Sequence, residues 1–227
     1  MRNIPTSTIL NVFIGGKKML KNNDFSDVVF GRRSVKVFDE NFKIDREEML
    51  EMIAEATKAP SSVNMQPWRF MVVESEEGKD KLRPLIRFNV RQNDTSSAMV
   101  VIFGDMKCYE KAEEIYSRAV NEGKMPQEVK EQLMGLFMPA YTNFSKQKMN
   151  DVVKIDGSLA AMQFMLVARA HGYETNPIGG FEEDQIAEAF GLDSEQYVPV
   201  IIIAVGKGNY ETHESVRLNP EEITIFK

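Results

Sequence analysis

Three cations and a hydroxyl group lie within five residues near the start of the chain, from Arg32 to Lys36. If this segment is extended, Arg32, Ser34 and Lys36 point to the same side, because side chains alternate along a strand. Such a cluster suits a phosphate monoester, which is bound well by charged donors and by the bidentate guanidinium group. A solvated basic patch would have the same composition, so the spacing alone leaves both interpretations open.

A second polar segment, from Pro60 to Trp68, places two serines, an asparagine and a glutamine between two prolines. Prolines and small polar residues predict a loop. Side-chain amides can hydrogen-bond to the carbonyl groups and ring nitrogens of a heterocycle. The same residue types also bond to their own backbone in turns, and composition alone favours that use.

Several chemistries are disfavoured by what the sequence lacks. The two histidines, His171 and His213, belong to no metal-spaced cluster, and Cys108 is the single cysteine. Neither a Gly-x-Ser-x-Gly elbow, a phosphate loop ending in Gly-Lys-Ser/Thr, nor a Gly-x-Gly-x-x-Gly motif occurs. We therefore assign no catalytic side chain and no metal site, and triad hydrolases, zinc enzymes and P-loop enzymes are disfavoured.

Composition indicates a globular protein of ordinary type. The chain has 227 residues, of which 43% are hydrophobic and 27% charged, and a net charge of −6. An acidic chain repels nucleic acids and anionic membrane surfaces, and no window approaches the roughly 18 to 20 apolar residues of a membrane span. With a single cysteine, the sequence predicts a cytoplasmic protein with neither nucleic-acid nor membrane partners.

The periodicity predicts few strands and much helix. Strands are expected at 69–73, 98–104 and 198–205, and a turn at 176–181. Helices are expected at 45–58, 77–86, 110–122, 127–148 with an interruption at Pro139, 151–171 and 182–190. The 151–171 helix is apolar nearly all round, which indicates burial in a core or at a subunit interface. Residues 1–24 are interpreted as an N-terminal extension and 25–227 as the main domain.

In order and spacing, three segments resemble the FMN-dependent nitroreductase family. They are RRSVK at 32–36, PSSVNMQPWRF at 60–70 and DGSLAAMQFMLVARAHGYETNPIGGF at 156–181. The resemblance runs from about Phe25 to the C-terminus. It implies an α+β fold, a three-layer α/β/α sandwich whose small, mostly antiparallel central sheet is wrapped by helices. It also implies an intertwined homodimer with FMN at the interface, in which the 151–171 helix is central.

The resemblance also implies which residues bind FMN. One group holds the phosphate, the ribityl chain and the pyrimidine edge: Arg32, Arg33, Ser34 and Lys36. A second belongs to the loop that reaches the FMN of the other subunit: Pro60, Ser61, Ser62 and Asn64. A third packs on one flavin face or lies at its edge: Pro177, Ile178, Gly179, Gly180 and Asn89. Lys207 and Arg217 match the C-terminal cations that close on the phosphate.

The activity implied is electron transfer from NADH or NADPH to a small acceptor, such as a nitroaromatic or a quinone, by a ping-pong mechanism. Other outcomes stay open within the same fold, namely a dehalogenase, an oxidase or a flavin-fragmenting enzyme. A non-catalytic FMN-binding protein is a further alternative. Many relatives carry glutamate where this chain has Gly179. The 107–150 region, which shapes the substrate side, varies within the family, so the acceptor does not follow from the resemblance.

Overall fold

The computed structural model describes residues 21–208 and 214–227. Residues 1–20, most of the predicted extension, lie outside the described residues, and the division at residue 24 stays a prediction. The described helices are α1 (Phe25–Gly31), α2 (Arg46–Ala56), α3 (Glu76–Leu82), α4 (Val90–Thr95), α5 (Ala112–Asn121), α6 (Gln127–Thr142), α7 (Lys146–Ala170), α8 (Glu183–Ala189) and α9 (Pro220–Ile223). Short 3₁₀ turns cover Ser62–Asn64, Arg83–Leu85, Arg87–Asn89 and Cys108–Lys111.

Four antiparallel strands form the described sheet. They are β1 (Trp68–Val73), β2 (Ala98–Asp105), β3 (Glu174–Ile178) and β4 (Tyr197–Gly206), in the order β1-β2-β4-β3. Every residue of β2 is buried, as its continuous apolar run predicts for a strand covered on both faces.

Alternate residues of β2 belong to two separate cores. Val100 and Ile102 pack with Phe164 of α7 and with side chains of α2, whereas Val101 packs on the other face with Ile186 of α8 and with α3. Since strand side chains alternate, one buried strand serves both cores. The predicted three-layer α+β sandwich is confirmed.

The turn predicted at 176–181 is wrong in its first half, because Glu174–Ile178 is the edge strand β3. The carbonyl of Thr175 points away from β4 and accepts from Val35 N at 3.0 Å. Residues two apart in a strand share an orientation, so the missing N–H of Pro177 also lies on the outer side. An edge strand tolerates this proline, whereas its sequence alone is typical of a turn.

The helix predicted at 127–148 ends earlier, and Pro139 does not interrupt it. α6 runs through Pro139 to Thr142, and Ser145 then caps α7 by accepting from Lys148 N. A proline near a helix end removes only one backbone hydrogen bond. The Ser145 cap therefore sets the boundary between the two helices.

The long helix α7 is not buried all round, since 11 of its 25 residues are buried. Its outer stripe keeps Ile155 62% exposed, and Leu159 and Met162 43% exposed. These positions share one helix face. In the described part of the chain, no helix is long and apolar enough to cross a membrane.

Candidate functional site

The basic segment lies where α1 meets the sheet edge. Asp24 caps α1 by accepting from Ser26 N and Asp27 N, and the chain then leaves the helix at Arg32. Ser34 forms a parallel bridge with Thr175, which extends the sheet beyond β3. Val35 is buried while Ser34 and Lys36 are exposed, so the side chains alternate from Ser34 to Lys36.

The C-terminal segment brings Arg217 to the same place. A cavity of about 420 Å³, which we call the arginine pocket, has the following lining: Val29, Phe30, Arg32, Arg33, Ser34, Glu214, Ser215 and Arg217. Arg32 and Arg217 are 185 positions apart in sequence, yet they share this cavity. Lys36 is not among the lining residues.

The arginine pocket holds an unbalanced positive charge. Arg32 Nη1 is buried and has no hydrogen-bond partner among the described residues. Burial lowers the pKa of Arg32, and the charges of Arg217 and Arg33 lower it further. Buried polar groups are normally paired, and guanidinium groups that repel each other are stabilised by an anion between them. The pocket therefore fits a phosphate group.

Arg33 differs from Arg32 in how its donors are used. It donates to the carbonyl groups of Phe30 and Arg32, and it pairs with Glu214 at 3.4 Å. Its guanidinium group therefore holds the end of α1 as well as facing the cavity.

In the loop after α2, both serines bond within the chain. Asp156 of α7 accepts from Ser62 N at 3.0 Å and from Ser62 Oγ at 3.1 Å. Ser61 Oγ accepts from Gln66 N at 3.0 Å. The turn interpretation thus describes Ser61, which bonds to the loop's own backbone, whereas Ser62 bonds to a distant helix. Ser62 and Asn64 are both exposed.

The same loop holds strained backbone. Val63, Asn64 and Gln66 have φ values of 43°, 58° and 48°, in the left-handed region that a β-branched residue rarely adopts. Tyr116 donates to the Val63 carbonyl at 2.7 Å. Such strain persists only where surrounding bonds over-determine it, and it is common at functional sites.

Sequence reasoning missed Asp156 and Tyr116 as supports of this loop. Asp156 is 2% exposed, and burial raises the pKa of its carboxyl despite the two bonds from Ser62. An acidic residue within an apolar stretch was the available signal, since a buried carboxylate needs dedicated partners. Nothing in the sequence pointed to Tyr116.

Asn89 and the glycine segment lie together, as the resemblance implies. Asn89 Nδ2 donates to Ile86 O at 3.1 Å and to Gly180 O at 3.4 Å. The Arg87–Glu182 ion pair, at 2.8 Å, ties the same two segments.

The two glycines at the end of β3 face open space. A Cβ at Gly179 would meet nothing within 4 Å, and one at Gly180 would meet only Asn89 Nδ2, at 3.9 Å. Neither glycine has a positive φ. The described chain itself therefore does not require glycine at either position.

Lys207 lies apart from the arginine pocket. Its Nζ donates to Gly172 O, and it lies 4.8 Å from the ring centroid of Tyr173 and 5.6 Å from that of Phe42. Burial lowers the pKa of this lysine. Of the two predicted C-terminal cations, the structure brings Arg217 to Arg32 and leaves Lys207 elsewhere.

A reactive cysteine and a metal centre both find no support in the described residues. Cys108 is fully buried, and burial raises the pKa of its thiol to about 12, which keeps it protonated and unreactive. In residues 21–208 and 214–227, no group of three or more His, Cys, Asp or Glu could hold a metal ion.

The family model named Nitroreductase family matches residues 29–207. The chain belongs to the nitroreductase family. YdgI of Bacillus subtilis strain 168, provisionally named an NAD(P)H nitroreductase, is 50% identical over 209 residues, which are 92% of this chain and 100% of YdgI. The CLA biosynthesis enone reductase of Lactiplantibacillus plantarum is 40% identical over 210 residues, which are 92% of this chain and 97% of that protein.

Solved structures of nitroreductases have the same fold. A protein of Exiguobacterium sibiricum, provisionally named a nitroreductase and solved in complex with FMN, is 51% identical, with a TM-score of 0.89. That alignment covers 91% of this chain and 98% of the other.

Proposed function

We propose that this nitroreductase binds FMN and transfers electrons from NAD(P)H to a small organic acceptor. The observation that carries the proposal is the unpartnered Arg32 Nη1 in a cavity shared with Arg33 and Arg217. The FMN-bound relative at 51% identity and the NAD(P)H nitroreductase name of YdgI support the cofactor and the donor.

In this proposal the FMN phosphate occupies the arginine pocket, which Ser34 also lines, and Lys36 contacts the rest of the cofactor from the exposed side of the same extended segment. The ring packs on the open surface of Gly179 and Gly180, beside Asn89. Bound FMN supplies the hydride-transfer chemistry. The protein orients the ring, and the charge of Lys36 stabilises negative charge on its pyrimidine edge.

The functional unit in this proposal is a homodimer. The outer stripe of α7 exposes Ile155, Leu159 and Met162, and the C-terminal segment exposes Ile225 and Phe226 at 82% and 91%. Contiguous exposed apolar surface marks an interaction site. Pairing two α7 stripes would bury it and bring the strained loop of one subunit to the flavin of the other.

We propose a nitroaromatic or a quinone as acceptor, with donor and acceptor using one pocket in turn, which is a ping-pong cycle. An α,β-unsaturated ketone is a second candidate, supported by the enone reductase relative at 40% identity. A product survey with reduced enzyme separates these from dehalogenation, oxidation or fragmentation of the flavin.

An absorbance spectrum of the purified protein tests the proposal. We expect a yellow flavin spectrum that bleaches on anaerobic addition of NADH or NADPH and returns on addition of an acceptor. A flavin that neither donor bleaches would indicate a non-catalytic FMN-binding protein. A colourless protein that cannot be reconstituted with FMN would contradict the proposal altogether.

A further inference from the structure

A second cavity, of about 810 Å³, lies between the loop after α2 and helix α5. We call it the basic cavity, because its cationic lining residues outnumber its acidic ones. The cations are Lys58, Arg69, Lys111, Arg118 and Lys124, and the carboxylates are Glu114 and Glu122. Its volume is within the range of about 300 to 1,000 Å³ that is typical of small-molecule sites.

Two of these cations are neutralised locally. Arg69 pairs with Asp105 at 2.6 Å, and Lys124 pairs with Glu122 at 2.5 Å. They contribute shape and hydrogen-bonding groups more than net charge.

The other three cations leave an excess of positive charge. Lys111 and Arg118 share the single carboxylate of Glu114, at 3.2 and 3.1 Å. Lys58 has no ion-pair partner in the described part of the chain. Because the whole chain carries a net charge of −6, this excess is a local feature that attracts an anion.

The basic cavity adjoins the proposed flavin site. Pro60 and Asn64, which the family resemblance places against the partner subunit's FMN, line this same cavity. A nicotinamide stacked on that flavin could therefore extend the rest of its molecule directly into the cavity. That remaining part of NADH or NADPH is a ribose-pyrophosphate-adenosine arm, which carries the negative charge of the donor.

We propose that the basic cavity binds the phosphate-bearing arm of the nicotinamide donor, with Lys58 and Arg118 as its principal cationic contacts. The inference rests on the proposed function. It divides the site into two parts, since a nitroaromatic, quinone or enone has no phosphate and needs only the space over the flavin ring. Variants of the cavity should therefore affect the donor and spare the acceptor.

The test uses the FMN-loaded dimer, in which the arginine pocket is already filled. Calorimetric titration with 2′,5′-ADP and with 5′-ADP measures binding of the arm without the nicotinamide. In Lys58→Gln and Arg118→Gln we expect binding to weaken about three- to ten-fold, the range for one charged contact at a solvated site. If 2′,5′-ADP binds more strongly than 5′-ADP, the cations contact the 2′-phosphate of NADPH. If the two bind equally, the cations contact a phosphate that NADH and NADPH share. Both results support the proposal.

Steady-state kinetics provides the second readout. The KM for the donor should rise by the same factor in both variants, while kcat and the KM for the acceptor stay unchanged. Lys148→Gln is the matched control, because Lys148 is exposed and lines neither cavity. Lys58→Gln breaks no described ion pair, so it should fold normally.

Unchanged ADP binding and unchanged donor KM in both variants would overturn the assignment of the basic cavity, even in a fully active enzyme. Failure of the proposed function looks different, since NADH and NADPH would then leave the wild-type flavin oxidised.

Discussion

The arginine pocket and the loop from Pro60 to Trp68 are both polar, but their polar groups are used differently. In the arginine pocket, the buried Nη1 of Arg32 has no partner among the described residues. In the loop, Ser61 and Ser62 bond within the chain, and the Asp156 carboxylate accepts hydrogen bonds from both the N–H and the hydroxyl group of Ser62.

The difference separates two ways of building a binding site. The arginine pocket keeps the charged donor Arg32 Nη1 free, so an anion completes its hydrogen bonding. The loop uses its polar groups to hold Val63 and Asn64 in a strained conformation, which leaves the Asn64 side chain exposed. Residue types at a site therefore indicate a ligand only where the folded chain does not already satisfy them.

The largest effect is expected when the subunits are separated, because the proposed FMN site needs the arginine pocket of one subunit and the loop of the other. Leu159→Lys places a charge in the exposed apolar stripe of α7 and should yield a monomer that loses FMN. Light scattering and flavin absorbance of the purified protein measure both effects. Leu50→Lys is the control, since Leu50 is similarly exposed at 42% on α2. A dimeric, yellow Leu159→Lys protein would contradict the proposed interface.

Arg32→Ala tests the arginine pocket alone. Loss of one charged hydrogen-bond donor at a phosphate should weaken FMN binding about 10- to 100-fold. Arg33→Ala should weaken it less, because Arg33 already donates to Phe30 O and Arg32 O. Fluorescence titration of the FMN-free protein compares the two. If both variants lose the same FMN affinity, or if Arg32→Ala loses none, Arg32 is not the more important phosphate contact of the two arginines.

Asp156 is the corresponding test of the loop. Asp156→Ala leaves Ser62 N–H without its partner and should lower the free energy of unfolding by about 1 to 3 kcal/mol. Asp156→Asn should cost less, because an amide can accept from Ser62 N and donate to Ser62 Oγ. Urea unfolding measures both variants, and equal stabilities of all three proteins would show that the Asp156 contacts contribute little.

The pH dependence of the same carboxyl has a defined sign. Burial raises the pKa of Asp156, so the folded protein holds its proton more tightly than the unfolded chain does. The stabilising contribution of Asp156 therefore falls as pH rises from the ordinary aspartate pKa of about 3.9 to the raised folded value, and it is constant above that. The wild type should thus lose stability relative to Asp156→Asn across this window. If the wild type instead gains stability relative to Asp156→Asn over this pH range, the pKa of Asp156 is lowered by folding rather than raised.

The smallest effect on stability is expected at Gly179. A methyl group there meets nothing within 4 Å, so Gly179→Ala should change the free energy of unfolding of the FMN-free protein by less than about 0.5 kcal/mol. FMN binding should also be largely retained, because the resemblance places a larger side chain, glutamate, at this position in many relatives. Loss of stability with unchanged FMN affinity would show that the glycine serves the chain rather than the cofactor.

Parts of the fold that depend on local pattern were predictable. The apolar run of β2 and the capping aspartate of α2 indicated those elements, and the alternation from Ser34 to Lys36 is as expected. β3 was missed because its proline is tolerated only at a sheet edge, and a strand's place in a sheet is a long-range property. Lys207 and Arg217 looked equivalent as C-terminal cations, yet only Arg217 reaches the arginine pocket.

The sequence by itself predicted the layered α+β architecture and the basic segment at 32–36 from local residue patterns, and its resemblance to known nitroreductases indicated the family. Only the tertiary structure decided that Arg32 Nη1 has no partner among the described residues, that Asp156 supports the strained loop, and that Lys58 and Arg118 line the same second cavity. The physical reason is that hydrogen bonding and net charge depend on which distant groups the fold brings within a few ångströms. Those distances are a property of the assembled chain rather than of any one segment.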